Sequence, residues 1–337
     1  MKLGLIWGYW GQLPPPNLIE TTKLAEDLGF DSVWTAEAWG SDAFSPLAYL
    51  AGHTSRIKLG TSVVQIAGRT PTATAMHAIT IDHLSGGRLI LGLGASGPQV
   101  VEGWYGQPYK RPLARTREYV EIIRRVMARE EPLDFDGEFY QHPYHGPGSM
   151  GLGKPLRAIT HPLRREIPIY LGAEGPKNVA MTAEIADGWI PLYYSPFRQD
   201  VYADQLAGAR DGFEIAAMAN LNITDDVEAG LYPVKAMLGF YIGGMGAKGK
   251  NFHTDLMARM GYEEQALRIQ DLFFEGRRDE AIAAVPTEFA DEISLVGPPG
   301  RIRERLEAWK DSPVTTLTMY PSAPEQMRQI AEIVLEA

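Results

Sequence analysis

The chain contains no cysteine, which removes disulfides, thiolate metal sites and a cysteine nucleophile from consideration and suits a reducing compartment. No run of about 20 apolar residues occurs, so no membrane-spanning helix is expected. Basic charge is in deficit: 32 Lys and Arg against 42 Asp and Glu leave a net charge of −10. That balance argues against a broad phosphate-binding face, and so against nucleic acid as a partner. The seven histidines show neither H-E-x-x-H nor any other zinc spacing, and no metal is expected. Neither G-x-x-x-x-G-K-S/T nor G-x-S-x-G is present. The opening "MKLGLIWGYWGQLPPP" is broken by Gly8, Gly11 and a proline run before any cleavage pattern, so it reads as a first strand and not as a signal peptide. These exclusions leave a soluble, cytoplasmic protein that handles a small molecule.

What is there is a regular alternation. The 337 residues, 45% of them hydrophobic, suit either one α/β barrel or two smaller domains. Apolar runs at Lys2–Trp7, Asp31–Glu37, Ile57–Val64, Arg88–Gly94, "IPIYLGA", "DGWIPLY", "VKAMLGFYIGG" (Val234–Gly244) and "TTLTMYP" read as strands one to eight. Helical spacing follows each of them. Ser45-Pro46, Thr70-Pro71 and Gly175-Pro176 mark helix starts, and "LDFDGEFYQH" reads as a hairpin. Strands rich in Leu, Ile and Val without polar alternation are those of a parallel sheet buried on both faces. Eight such units predict a single (β/α)8 TIM barrel, with insertions at about 133–160 and 245–292 after strands four and seven. A doubly wound sheet is the rival. In a barrel, chemistry belongs at the C-terminal strand ends.

The stretch "RLILGLGASGPQ" carries Gly92, Gly94 and Gly97 as G-x-G-x-x-G, the spacing of a dinucleotide-binding turn. That turn needs its third glycine inside a helix holding pyrophosphate. Pro98 and the glycines after it predict no helix before Leu113, so the spacing fits a barrel rim better. It leaves open a plain flexible turn or a surface against which a flat ligand presses.

These rims, with "LGTSVVQIAGRTP", "LSGGRLILGLGASGPQVVEGWYG", "PIYLGAEGPKNVAMTAEIADGW" and "GGMGAKGKNF", make the chain resemble the bacterial luciferase-like family of flavin and deazaflavin oxidoreductases, over nearly its whole length. It is most similar to the branch that uses coenzyme F420. The resemblance implies a ring cofactor at the barrel mouth, propped by a non-prolyl cis peptide at Ser62-Val63 with Gln65 just beyond. It implies phosphate contacts from "GAEGPKN", through Gly172, Ala173, Glu174, Gly175, Pro176 and Asn178. A plain helix cap is the other reading of that segment. Ser96, Gly97, Pro98 and Gln99 would face the ring's remaining edge.

The family pattern also breaks. Several deazaflavin-dependent relatives carry an acid followed by histidine at the end of strand two; here the pair is Glu37 and Ala38. Some place a glutamate where Gly97 stands. Glu37 is therefore the catalytic candidate, as a ring contact or general acid/base, with a paired structural carboxylate as its other reading. Trp39 is a candidate wall of the substrate pocket, or core. Arg69, Lys248 and Lys250 are candidates for an anionic cofactor tail, or solvated side chains. His77 and His83 read as structural, and the glycine-rich loops near 145–155 and 243–253 as lids. The expected function is F420-dependent hydride transfer at the deazaflavin C5 to or from an alcohol, carbonyl or enone. Alternatives are an FMN-dependent monooxygenase, a non-catalytic deazaflavin or flavin binder, or an unrelated barrel hydrolase. Family members commonly dimerise, so a homodimer is an expectation.

Overall fold

The computed structural model describes residues 1–336. Its barrel strands are β1 (Lys2–Gly8), β2 (Ser32–Thr35), β3 (Lys58–Thr61, resuming at Val64–Gln65), β4 (Leu89–Gly94), β5 (Ile169–Gly172), β6 (Gly188–Ile190), β7 (Glu214–Met218) and β8 (Thr316–Met319). All pairs are parallel, and β8 returns to β1 while β3 meets β4, so the sheet closes. This is the expected (β/α)8 barrel.

Side chains alternate across each strand. Leu3, Leu5, Val33, Leu59, Leu89, Leu91 and Leu93 join the core shared with the helices. Ile6, Trp34, Ile90, Tyr170, Ala216 and Met218 form a separate cluster inside the barrel. Trp34 and Tyr170 fit there because facing positions lack side chains. A Cβ on Gly60 would collide with the Trp34 ring, and one on Gly188 would meet the Tyr170 ring at 2.7 Å.

The same alternation explains "LILGLG". Its leucines point outward, and Ile90, Gly92 and Gly94 point inward. Thr61 Oγ1 accepts from Gly92 N–H and donates to Gly92 O, both at 2.8 Å. A Cβ on Gly92 would collide with the Thr61 carbonyl. Two of the three motif glycines thus answer strand packing. One expectation fails here: a short helix, Pro98–Gly103, follows Gly97 directly.

Strand seven is also corrected. "VKAMLGFYIGG" lies within the helix Val227–Gly244, started by the Asp226 carboxylate accepting from Ala229 N–H at 3.0 Å. The barrel strand is the earlier "EIAAM". A long apolar run of β-formers reads alike as buried strand or buried helix, and a five-residue strand containing two alanines carries little β signal. Likewise Ser45 does not cap its helix, which spans Phe44–Ala51. Asp42 Oδ1 does so, accepting from the N–H groups of Phe44 and Ser45 at 2.8 Å each.

Two excursions leave the barrel. One follows the helix Pro112–Ala128 and carries the hairpin Phe135–Asp136 with Gln141–His142. The other follows the helix Val227–Gly244 with Phe252–Met257, Glu263–Phe274, Arg278–Ala283 and Thr287–Glu292. Among the described residues no helix is long and apolar enough to cross a membrane.

Candidate functional site

At the C-terminal ends of the strands lies a cavity of about 1420 Å³, larger than the several hundred Å³ typical of one drug-sized ligand. Ile6, Ile190, Met218 and Thr318 form its floor from the barrel interior, and Tyr9, Trp39, Trp104, Tyr109, Phe252 and Tyr320 stand around it.

The wall at β3 is set by a register change. Gly60 faces Ile90 and Val64 faces Leu93, so four steps on β3 run against three on β4. The extra residue makes a bulge, and the Ser62-Val63 peptide within it is cis. Val63 lies against both neighbouring glycines: a Cβ on Gly94 would meet its Cγ2 at 2.5 Å, and one on Gly172 its Cγ1 at 3.3 Å. Beyond the bulge, Gln65 Nε2 donates to Glu37 O at 3.0 Å, which leaves Oε1 buried without a partner. A buried lone acceptor in a cavity wall asks for a donor on the ligand, and a deazaflavin or flavin ring offers an N–H.

At β5, Gly175 is the extended residue before the helix Pro176–Ile185, and no side chain caps it. The amides of Asn178 and Val179 turn back to Gly175 O, whereas the Lys177 N–H has no backbone acceptor. A helix start of this kind accepts an anionic group. Lys177, Arg111 and Arg259 also line the cavity, which answers the chain's overall acidity locally. The site therefore fits a flat ring with a phosphate-bearing tail.

Beside this helix start, His253 Nδ1 lies 2.9 Å from Glu174 Oε2, with Tyr193 and Tyr241 edge-on to the imidazole. Burial pushes the Tyr193, Tyr241 and Tyr320 phenols up, so these remain neutral hydroxyls. The backbone beneath is fixed: Asn251 Oδ1 accepts from His253 N–H at 2.9 Å while its Nδ2 donates to Tyr241 O and Ile242 O, each at 2.9 Å.

Of the residues singled out in sequence, Trp39, Ser62, Val63, Gln65, Ser96, Gly97, Gln99, Gly172, Ala173, Glu174, Gly175, Pro176 and Asn178 all line the cavity. Pro98 does not, being the first residue of its helix. Glu37 is corrected as the catalytic candidate. It lies outside the cavity lining, and its Oε1 and Oε2 accept from Arg69 at 2.6 and 2.9 Å. Gln65 N–H donates to Oε1 as well, at 2.8 Å. Arg69, also expected at a cofactor tail, is held by this pair and over the Phe44 ring. Burial works against its charge, but Glu37's hydrogen bonds and charge outweigh it and raise its pKa. Lys248 pairs with Asp271 at the surface, and neither it nor Lys250 lines the cavity. His77 bonds Ala73 O and His83 bonds His161 O, both at 2.7 Å. Sequence reading missed His253, Arg259, Tyr9, Tyr241 and Tyr320. Tyr9 and Tyr320 follow strands one and eight, which were read correctly, but nothing local marks them. Tyr241 lay in the run read as strand seven, and only the glycine-rich "GGMGAKGKNFH" pointed near His253 and Arg259.

The profile of the family described as luciferase-like monooxygenase matches residues 7–316. A provisionally named coenzyme F420-dependent oxidoreductase of Mycobacterium tuberculosis is 52% identical over 99% of both chains. A 5,10-methylenetetrahydromethanopterin reductase of Archaeoglobus fulgidus is 29% identical over 91% of this chain and 90% of its own. In fold, the coenzyme F420-dependent tetrahydromethanopterin reductase of Methanopyrus kandleri superposes with a TM-score of 0.80 at 22% identity, over 99% of this chain and 98% of its own. With a closed barrel, a bulged β3 and this full-length likeness together, the chain belongs to the luciferase-like monooxygenase family.

Proposed function

We propose that the protein is a coenzyme F420-dependent oxidoreductase acting on a small organic alcohol, carbonyl compound or enone. The observation that carries the cofactor assignment is the 52% identity across 99% of both chains to a protein named for F420. The site supports it. Val63 presents a raised surface over Gly94 and Gly172, Gln65 Oε1 waits for a ring N–H, and the Gly175–Pro176 helix start with Lys177 suits a phosphate. When bound, the deazaflavin supplies hydride exchange at its C5 and does not readily activate oxygen.

The chain's part is to position and to exclude water. Trp39, Tyr9, Tyr320 and Met218 give the remaining space apolar walls with phenol hydroxyls, which suits an uncharged substrate carrying one oxygen. Two copies of the chain forming a homodimer remain part of the proposal. The FMN-dependent monooxygenase alternative rests on the family's name. The test is turnover: purified protein with F420 and a panel of secondary alcohols, or with reduced F420 and a panel of enones, followed by the deazaflavin's visible absorbance. Protein-dependent change with one substrate class supports the proposal; no change with any overturns it.

A further inference from the structure

With Glu37 locked to Arg69 and an alanine, Ala38, next to it, the strand-two end offers no proton carrier to the cavity. One histidine does reach it. His253 lines the cavity from the helix Phe252–Met257, well outside strand two. Its Nδ1 lies 2.9 Å from Glu174 Oε2. The contact is off the line of an ideal N–H···O bond, and neither atom has another partner. A carboxylate on one ring nitrogen fixes the tautomer and leaves the other free for chemistry. The imidazole is held edge-on to Tyr193 and Tyr241, and the Asn251 bonds fix its main chain. The main chain of Glu174 is held in turn, since Arg259 donates to its backbone carbonyl at 2.8 Å. A surface histidine needs none of this support.

We propose that His253 is the acid/base residue of the cavity, exchanging a proton at Nε2 with the hydroxyl or carbonyl oxygen of the substrate, and that Glu174 positions it. The inference rests on the oxidoreductase reading above. Oxidation of an alcohol removes the carbinol hydrogen with two electrons as hydride, accepted by the oxidised deazaflavin. The hydroxyl proton goes to Nε2, and the O–H electron pair becomes the C=O bond; reduction of a ketone is the reverse. The groups facing His253 are Glu174, Tyr193 and Tyr241, with Asp255 and Arg259 on its own segment.

Two measurements decide it. In protein alone, labelled with ¹⁵N-histidine, the neutral His253 ring is expected as the Nδ1–H tautomer, and Glu174→Gln is expected to give a mixture. An Nε2–H tautomer in the wild type, or no change in the variant, overturns the pairing. In turnover of the alcohol and enone panels, His253→Asn is expected to lower kcat/KM about 100-fold or more and to remove one limb of the pH profile. F420 affinity, read by fluorescence titration, is expected to stay within about threefold. His253→Gln serves as a second variant should Asn disturb folding, judged by circular dichroism. A variant that keeps the wild-type pH profile, or a rate within about threefold, overturns the catalytic role. No turnover of any panel member overturns the substrate class. Failure of wild-type F420 binding overturns the cofactor reading instead, and the tautomer measurement still judges the pair.

Discussion

Val63 stands between two glycines, with Gly94 and Gly172 offering it the space that a Cβ at 2.5 and 3.3 Å from its methyls would take. The bulge on β3 therefore depends on side-chain absence on β4 and β5, and it forms one wall of the cavity.

Gly94→Ala is expected to push Val63 and to weaken F420 binding about tenfold, with a stability loss of about 1 to 3 kcal/mol for the overpacking. Gly172→Ala should do less, and Gly208→Ala, with nothing within 4 Å of its Cβ position, should leave binding unchanged. Fluorescence titration and thermal melts read both quantities. Equal binding in all three variants would remove the bulge from the account.

Gln65→Leu is expected to weaken F420 binding about fivefold, since it deletes the unpartnered Oε1, and one hydrogen bond is worth about 1 kcal/mol. Unchanged affinity would mean that Oε1 does not meet the ligand.

The Glu37–Arg69 pair, with side chains 3% and 19% exposed, is expected to act on stability. Removing one partner of a buried pair costs about 3 to 5 kcal/mol, so Glu37→Ala should lose an amount of that order by urea unfolding. The double variant Glu37→Met, Arg69→Met should recover a large part of it. Strict additivity of the single losses would contradict the pairing.

Glu26 provides a pH test away from the cavity. Burial works to raise its pKa, but N–H groups of Ile57, Arg56 and Ser55 bond Oε1, and together with the Arg56 charge they bring it below the usual 4.5. A carboxylate with a depressed folded pKa contributes stability above its unfolded value and loses it as pH falls through the folded one. Glu26→Gln should thus destabilise the protein at pH 7 and progressively less below about pH 4.5. A pH-independent difference would assign the loss to packing alone.

The barrel was legible because its strands are continuous apolar runs, and the rim because Gly, Ser and Pro cluster after β3, β4 and β5. Strand β7 was not legible: Glu214–Met218 is short and alanine-rich, while the helix Val227–Gly244 beside it is apolar on most sides and rich in β-formers. Glu37 was visible as a rim acid, but its partner Arg69 lies 32 residues away, and no local pattern links them. The pairing of His253 with Glu174 is likewise a product of the fold, joining the loop after β5 to an excursion after β7.

A deazaflavin site is tested most directly by titration of the pure protein with F420 and, separately, with FMN, followed by fluorescence quenching. Saturable quenching of F420 with no response to FMN is the predicted result. Binding of FMN alone, or of neither, would contradict it.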